Sequence, residues 1–186
     1  TISTALRDDN LGCNPTVVAP TAADFSVSDV CDPSAVATVT SAGKTSADGC
    51  NYTQTWTASY TSACGENAAP VSVTYTWVED VTNPVITPSV TSTPATNAGT
   101  CKYTVPDVVA LASISDNCTA DADLQISQSP AVGEYITGNT NVTITVVDGC
   151  NNSSQQVIQV TLHNLLQGTI TSAESFCYNT SDGVIE

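Results

Sequence analysis

The eight cysteines are the residues of this chain whose types and spacing most clearly imply chemistry. None belongs to a Cys-x-x-Cys pair, and His163 is the only histidine, so the familiar spacing of a zinc site is absent. Eight cysteines in 186 residues instead predict disulfide bonds and an oxidising, extracellular location.

Carboxylates are the second chemically informative group. The chain has 18 acidic residues against 3 basic ones, a formal net charge of -15. Such a surface repels phosphate backbones and anionic membranes, which argues against nucleic-acid partners and direct membrane insertion. Surplus carboxylates suit calcium, which prefers oxygen ligands, although an acidic surface also serves solubility alone.

Catalytic arrangements find little support. Paired carboxylates of the glycosidase kind need a cleft, and these carboxylates fall at turns and linkers without an insertion that would build one. A Ser-His-Asp arrangement depends on His163 reaching a distant serine. No glycine-rich phosphate loop is present. The sequence therefore predicts a protein that is not an enzyme.

The cysteines also reveal an internal repeat. Their intervals are 18 and 33 positions in the first half and 17 and 32 in the second, for Cys13, Cys31 and Cys64, and for Cys101, Cys118 and Cys150. Local words correspond as well, since Asp29-Val30-Cys31 parallels Asp116-Asn117-Cys118. Self-similarity of this kind marks tandem modules. We expect one module at residues 1–79, a second at 80–163, and the start of a further module or a linker at 164–186.

The fold class follows from composition. Val and Thr are abundant and Met is absent, which favours strands because branched Cβ atoms crowd a helix. We expect strands near residues 24–27, 35–40, 51–60, 71–78, 85–90, 102–105, 125–129, 141–147 and 156–162. Short alternating strands separated by turn residues indicate β-sandwiches. Trp56 and Trp77 are expected in the first core rather than in an exposed sugar-binding platform.

The second module carries a recognisable pattern. It opens with Asp80-Val81-Thr82-Asn83-Pro84 and continues through Ile114-Ser115-Asp116-Asn117-Cys118. It closes with Gly138-Asn139-Thr140-Asn141-Val142-Thr143 and Val147-Asp148-Gly149-Cys150-Asn151. Over residues 80–163 it resembles the hyalin repeat (HYR) family, whose final Gly-Asn is replaced here by Cys150-Asn151. The resemblance implies an immunoglobulin-like fold and an adhesive, non-catalytic role.

The first module looks like Cys-rich repeats of giant surface proteins of Bacteroidetes-type bacteria, on the words Gly12-Cys13-Asn14-Pro15-Thr16 and Thr55-Trp56-Thr57-Ala58. Such proteins include gliding-motility adhesins exported by type IX secretion. We therefore expect an all-β chain of two tandem, disulfide-bonded immunoglobulin-like β-sandwiches at the cell surface. Its expected role is that of a stalk or adhesive segment in cell adhesion or surface motility. The alternatives are a segment of an extracellular filament and a carbohydrate-binding module. Expected partners are neighbouring repeat modules and surface glycans or proteins.

In a sandwich of this type, Cys31 and Cys64 of the first module fall on loops at the same end, as do Cys118 and Cys150 of the second. We therefore predict the disulfides Cys31–Cys64 and Cys118–Cys150, which leave Cys13 and Cys50 to pair with each other. From the entropy of loop closure, each of the first two disulfides is expected to stabilise the fold by roughly 3–4 kcal/mol. Cys101 and Cys177 either pair with each other or have partners outside this chain.

The same loops give a candidate calcium site, since the chain enters the second module at the end where they lie. Its predicted oxygen ligands are Glu79, Asp80, Asn83, Asp116 and Asp148. An equivalent group in the first module is Asp8, Asp9, Asp29 and Glu66. The competing interpretation is that Asp116 and Asp148 only cap turns through their own backbone.

Overall fold

The computed structural model describes residues 1–98 and 102–162. Chain contacts divide it into two compact units, residues 1–82 and 83–186, three residues after the predicted module boundary. The predicted segment 164–186 lies outside the described residues. The described residues form β-strands and two single 3₁₀ turns, at Val109–Leu111 and Asp121–Asp123. The prediction of an all-β chain is confirmed.

Of the eleven strands in the described residues, nine belong to the second unit. They are β3 (Val85–Pro88), β4 (Ser92–Pro94), β5 (Thr96–Asn97), β6 (Tyr103–Thr104), β7 (Ala112–Ser115), β8 (Gln125–Ser129), β9 (Tyr135–Ile136), β10 (Thr140–Val147) and β11 (Ser153–Thr161). One sheet has the order β4-β11-β10-β8, with β4 parallel to β11 and the other pairs antiparallel. Two smaller antiparallel sheets pair β3 with β7 and join β5, β6 and β9.

Strict alternation along β10 builds the core of this unit. Val142, Ile144 and Val146 are fully buried, whereas the Thr residues between them are half-buried, as the two-residue period of a strand requires. Their partners include Ile158 and Val160 of β11. Branched side chains favour this pleated arrangement, so the same residues that predict strands also form the core.

The first unit has less regular structure. Its strands are β1 (Gln54–Trp56) and β2 (Val73–Tyr75), which pair antiparallel. Residues 24–27 and 35–40, predicted as strands, are irregular in the structure. Trp56 and Tyr75 lie in the core with ring centroids 4.9 Å apart, and Trp77 is 5 % exposed. The predicted burial of both tryptophans is confirmed.

None of the helices among the described residues has the length and apolar character needed to span a membrane.

Candidate metal centre

Two strand ends position the first two carboxylates. Asp116 directly follows β7 and Asp148 directly follows β10, so each side chain lies where a strand gives way to a turn. The loop after β7 leads into β8, whose first residue pairs with the last residue of β10. The amide of Gly149 donates to Oγ1 of Thr119 at 2.9 Å and joins the two loops directly.

Each of these aspartates caps its own turn. Oδ2 of Asp116 accepts hydrogen bonds from the amides of Cys118 and Thr119, at 2.8 and 2.9 Å. Oδ1 of Asp148 accepts from the amides of Cys150 and Asn152, and its Oδ2 accepts from the Asn152 side chain at 2.7 Å. The turn-capping role is therefore confirmed. It does not exclude a ligand, because a carboxylate oxygen accepts at more than one position.

Asp80 is the third carboxylate, on the segment that leads into β3. Val85 at the start of β3 pairs with Ser115 at the end of β7, so the chain before β3 passes close to the residue after β7. Asp80, Asp116 and Asp148 each offer a carboxylate oxygen, and these oxygens lie within 4.8 Å of one another. The structure thus brings together three of the five predicted calcium ligands, which we call the acidic cluster.

Burial makes the acidic cluster electrostatically unusual. Asp80 is 3 % exposed, Asp148 is 2 % exposed, and Asp116 is half-buried. Oδ1 of Asp116 is buried and accepts no hydrogen bond from any described residue. Two like charges 4.8 Å apart repel by roughly 3 kcal/mol at an effective dielectric constant of about 20. A divalent cation would convert that repulsion into attraction.

The chain's basic side chains contact other groups. Nζ of Lys44 lies 2.7 Å from Oε1 of Glu79. Nζ of Lys102 lies 5.5 Å from the ring centroid of Tyr135. Arg7 donates to the carbonyls of Ala5 and Leu6. These contacts pair the three basic side chains with groups outside the acidic cluster.

Glu79 and Asn83 complete the predicted ligand set. Glu79 pairs with Lys44 and accepts a 2.7 Å hydrogen bond from Nε1 of Trp77. The hydrogen bond from Lys44 is the main cause that lowers the pKa of Glu79. Asn83 is exposed. Glu79 is thus a partner of the first unit's basic and aromatic side chains rather than a member of the acidic cluster.

Among the described residues, no group from Asp8, Asp9, Asp29 and Glu66 converges in the way that the acidic cluster does. Asp29 instead lies beside the Ser62 side chain, whose hydrogen bonding is the largest cause that lowers the pKa of Asp29. Ser62 precedes Cys64 by two residues, as Asp148 precedes Cys150. At equivalent positions, the first repeat therefore has a hydroxyl donor where the second has another carboxylate.

The cysteines flank the same loops. Cys13, Cys50, Cys118 and Cys150 are disulfide-bonded, so the prediction that the chain contains disulfides is confirmed for these four. Because the Cys118 and Cys150 amides donate to Asp116 and Asp148, the position of each cysteine is tied to that of a carboxylate. The sulfur atoms of Cys31 and Cys64 lie next to each other, 2.7 Å apart. The individual pairings stay predictions, and Cys101 and Cys177 lie outside the described residues.

Two residues of the candidate centre were not anticipated from the sequence. Thr119 joins the two loops through Gly149, and Asn152 holds both oxygens of Asp148. The Asp-x-x-x-Asn spacing between β10 and β11 indicates the contact of Asn152 with Asp148, because short polar side chains form local hydrogen bonds in turns. The Thr119 contact spans 30 residues, and no local pattern predicts it.

Comparison with protein-family models, curated proteins and solved structures finds no match.

Proposed function

We propose that this chain is a non-catalytic segment of a long extracellular surface protein, built from immunoglobulin-like repeats, whose second repeat is ordered by calcium. The observation that carries the proposal is the convergence of Asp80, Asp116 and Asp148 within 4.8 Å. In this role the chain is a stalk or adhesive segment, and the cation fixes the segment that leads into the second repeat.

Calcium is the cation that fits these donors best. All three side chains offer hard oxygen ligands, and calcium accepts six to eight oxygens in a flexible geometry. Magnesium requires a nearly ideal octahedron and keeps several of its waters. One oxygen of Asp116 and both of Asp148 are already fixed by turn hydrogen bonds, so these carboxylates are held in place for binding.

The first repeat supports this interpretation by contrast. Asp29 occupies the position of Asp116, and the hydroxyl of Ser62 satisfies it. In the second repeat the equivalent of Ser62 is Asp148, which adds charge instead of a donor. A second carboxylate at this position is costly for a purely structural turn and useful for a cation site.

The immunoglobulin-like architecture is supported by the sheets of the second unit. The four-stranded sheet β4-β11-β10-β8 and the smaller sheets share one core of alternating aliphatic residues. A sandwich has this kind of core, in which two layers contribute inward-facing side chains. The repeat spacing of the cysteines extends the same proposal to the first unit.

The extracellular location is supported by four disulfide-bonded cysteines, because such bonds persist in oxidising compartments. The adhesive or stalk role comes from the tandem repeat and the HYR-like motifs at residues 80–163. A carbohydrate-binding module is the weaker alternative, because Trp56 and Trp77 are buried and offer no exposed stacking surface.

Thermal unfolding of the full chain in EDTA, millimolar calcium and millimolar magnesium tests the cation. A concentration 100-fold above the dissociation constant stabilises by about 2.7 kcal/mol. That raises the midpoint of a domain of about 100 residues by roughly 10 °C or more. We expect this rise with calcium, its loss in Asp116→Asn, and its retention in the control Asp107→Asn, which alters an exposed turn-capping carboxylate. Equal midpoints with calcium and EDTA would remove the calcium site.

The surface role requires a separate test. Antibodies raised against this chain should label intact cells of the source organism without permeabilisation. Labelling only after lysis would contradict the extracellular proposal while leaving the calcium result unaffected.

A further inference from the structure

The four-stranded sheet of the second unit has two edge strands, β4 and β8, which differ in length and protection. β4 has three residues and ends at Pro94, which has no amide hydrogen to donate to a further strand. β8 has five residues, Gln125–Ser129, and none of them is a proline or a charged residue. Proteins commonly protect an open edge with short length, proline or lysine. β8 is therefore the unprotected edge of this sheet.

The backbone of β8 is paired on one side. Among the residues that the structure describes, β8 forms its backbone hydrogen bonds with β10 and with no other strand. An antiparallel strand turns its N–H and C=O groups alternately to its two sides, so about half of these groups on β8 point away from β10. Such a row of donors and acceptors is a template for one more strand.

The exposure of Ile126 indicates the same missing neighbour. Ile126 is the register partner of Val146, which is fully buried, and partners in a strand pair project from the same face of the sheet. Ile126 is nevertheless 40 % exposed, whereas Val142, Ile144 and Val146 of β10 are 0 % exposed. A strand added beside β8 would cover apolar surface of Ile126 that β10 leaves open.

We propose that β8 is a self-association surface, which pairs antiparallel with β8 of a second copy of this chain and joins two four-stranded sheets into one. A strand edge is complementary to itself in this arrangement, because a twofold axis sets the donors of each copy opposite the acceptors of the other. The proposal goes beyond calcium binding and does not depend on it, since no residue of β8 belongs to the acidic cluster.

Charge favours this edge as the place where two copies meet. The chain has a formal net charge of -15, so two copies repel each other wherever acidic surfaces approach. The strands β4, β8, β10 and β11 of this sheet contain no charged residue. The exposed Asp123 precedes β8 by two positions. Antiparallel pairing puts the two Asp123 side chains at opposite ends of the new strand pair, whereas parallel pairing would put them side by side.

The small size of this contact sets the expected affinity. A pairing of five-residue strands buries less area than a stable dimer requires, so we expect a dissociation constant of about 0.1 mM. Salt screens the repulsion between the two acidic chains and should strengthen the dimer. An association held by ion pairs would respond to salt in the opposite direction.

Sedimentation equilibrium of the full chain in EDTA tests the proposal, over a roughly hundredfold range of concentration around that value. We expect a reversible monomer–dimer equilibrium that shifts toward dimer as NaCl is raised from about 50 to 500 mM. Ser127→Asp adds a charge at the centre of β8 and should weaken dimerisation by about tenfold or more. Ser92→Asp is the matched control, because it changes an exposed serine of β4 at the protected edge and should leave dimerisation unchanged.

Three results would overturn the proposal: a monomer at every concentration, equal dimerisation of Ser127→Asp and the unmodified chain, or an equal loss of dimer in Ser92→Asp. Hydrogen exchange of the unmodified chain locates the contact without any substitution. The β8 amides that point away from β10 should exchange more slowly as the protein concentration rises. Concentration-dependent protection of other strands without β8 would contradict the assigned surface.

Discussion

Replacing Asp116 with Asn should stabilise the second unit when calcium is absent and remove its response to calcium. The substitution keeps one oxygen to accept the amides of Cys118 and Thr119. It places an NH₂ group where the buried Oδ1 accepts no hydrogen bond, within reach of the other carboxylates of the acidic cluster. The variant thus replaces a repulsive contact with a donor, and the sign of its effect depends on whether a cation is bound.

The size of the effect follows from the cluster's geometry. Asp116 faces two carboxylates within 4.8 Å, each repelling it by roughly 3 kcal/mol at an effective dielectric constant of about 20. Solvent screens part of this, because Asp116 is only half-buried. Its two turn bonds also lose charge assistance worth about 1 kcal/mol each. We expect a net stabilisation of about 1–3 kcal/mol in EDTA.

Hydrogen exchange of the β10 and β11 amides in the full chain measures this locally. A gain of about 1–3 kcal/mol slows exchange by roughly 5- to 150-fold in EDTA. Tryptophan fluorescence serves as an internal control, since Trp56 and Trp77 are in the first unit and should not respond. Faster exchange of Asp116→Asn in EDTA would refute the reasoning, because it would mean that the turn bonds outweigh the repulsion.

Three further outcomes are expected. Ile144→Ala should destabilise the second unit by about 2–5 kcal/mol in denaturant unfolding, because Ile144 is fully buried, whereas Thr145→Ala on the same strand should change it little; similar losses would contradict the proposed core. Cys118→Ser should cost roughly 3–4 kcal/mol and weaken calcium binding, because the disulfide holds the turn of Asp116; undiminished affinity would separate the disulfide from the site. Hydrogen bonding with Ser62 lowers the pKa of Asp29, so the ionised Asp29 adds to folding stability above the ordinary pKa near 3.8, and this stability is lost as the pH falls through the lowered pKa. The Asp29→Asn variant should therefore show a flatter dependence of unfolding on acid pH, measured by tryptophan fluorescence. An unchanged acid transition would refute this.

The strands of the second unit were predictable where alternation was strong. Residues 125–129, 141–147 and 156–162 correspond to β8, β10 and β11, and in β10 the buried Val and Ile residues recur at every second position. Short strands such as β5 and β9 contribute two residues each, too few to show a period. In the first unit, the chain at 24–27 and 35–40 is irregular although Phe25 and Ala37 are buried.

The acidic cluster was predictable in part, because Asp116 and Asp148 each precede a cysteine by two residues in a turn. Asp80 comes close to the other two carboxylates because β3 pairs with β7. No local sequence pattern specifies that pairing. Glu79 was included on proximity in sequence alone. Its ion pair with Lys44 joins residues that are far apart in the sequence, and its hydrogen bond with Trp77 comes from an indole N–H. Counting charges along the sequence reveals neither contact.

Isothermal titration of calcium into the calcium-free full chain tests the central claim most directly, with magnesium and the Asp116→Asn variant as controls. The account predicts one saturable calcium site per chain, a weaker response to magnesium, and loss of the binding heat in Asp116→Asn but not in Asp107→Asn. Absence of calcium heat, or identical binding by Asp116→Asn, would contradict it and leave the acidic cluster as a pair of capped turns beside a buried aspartate.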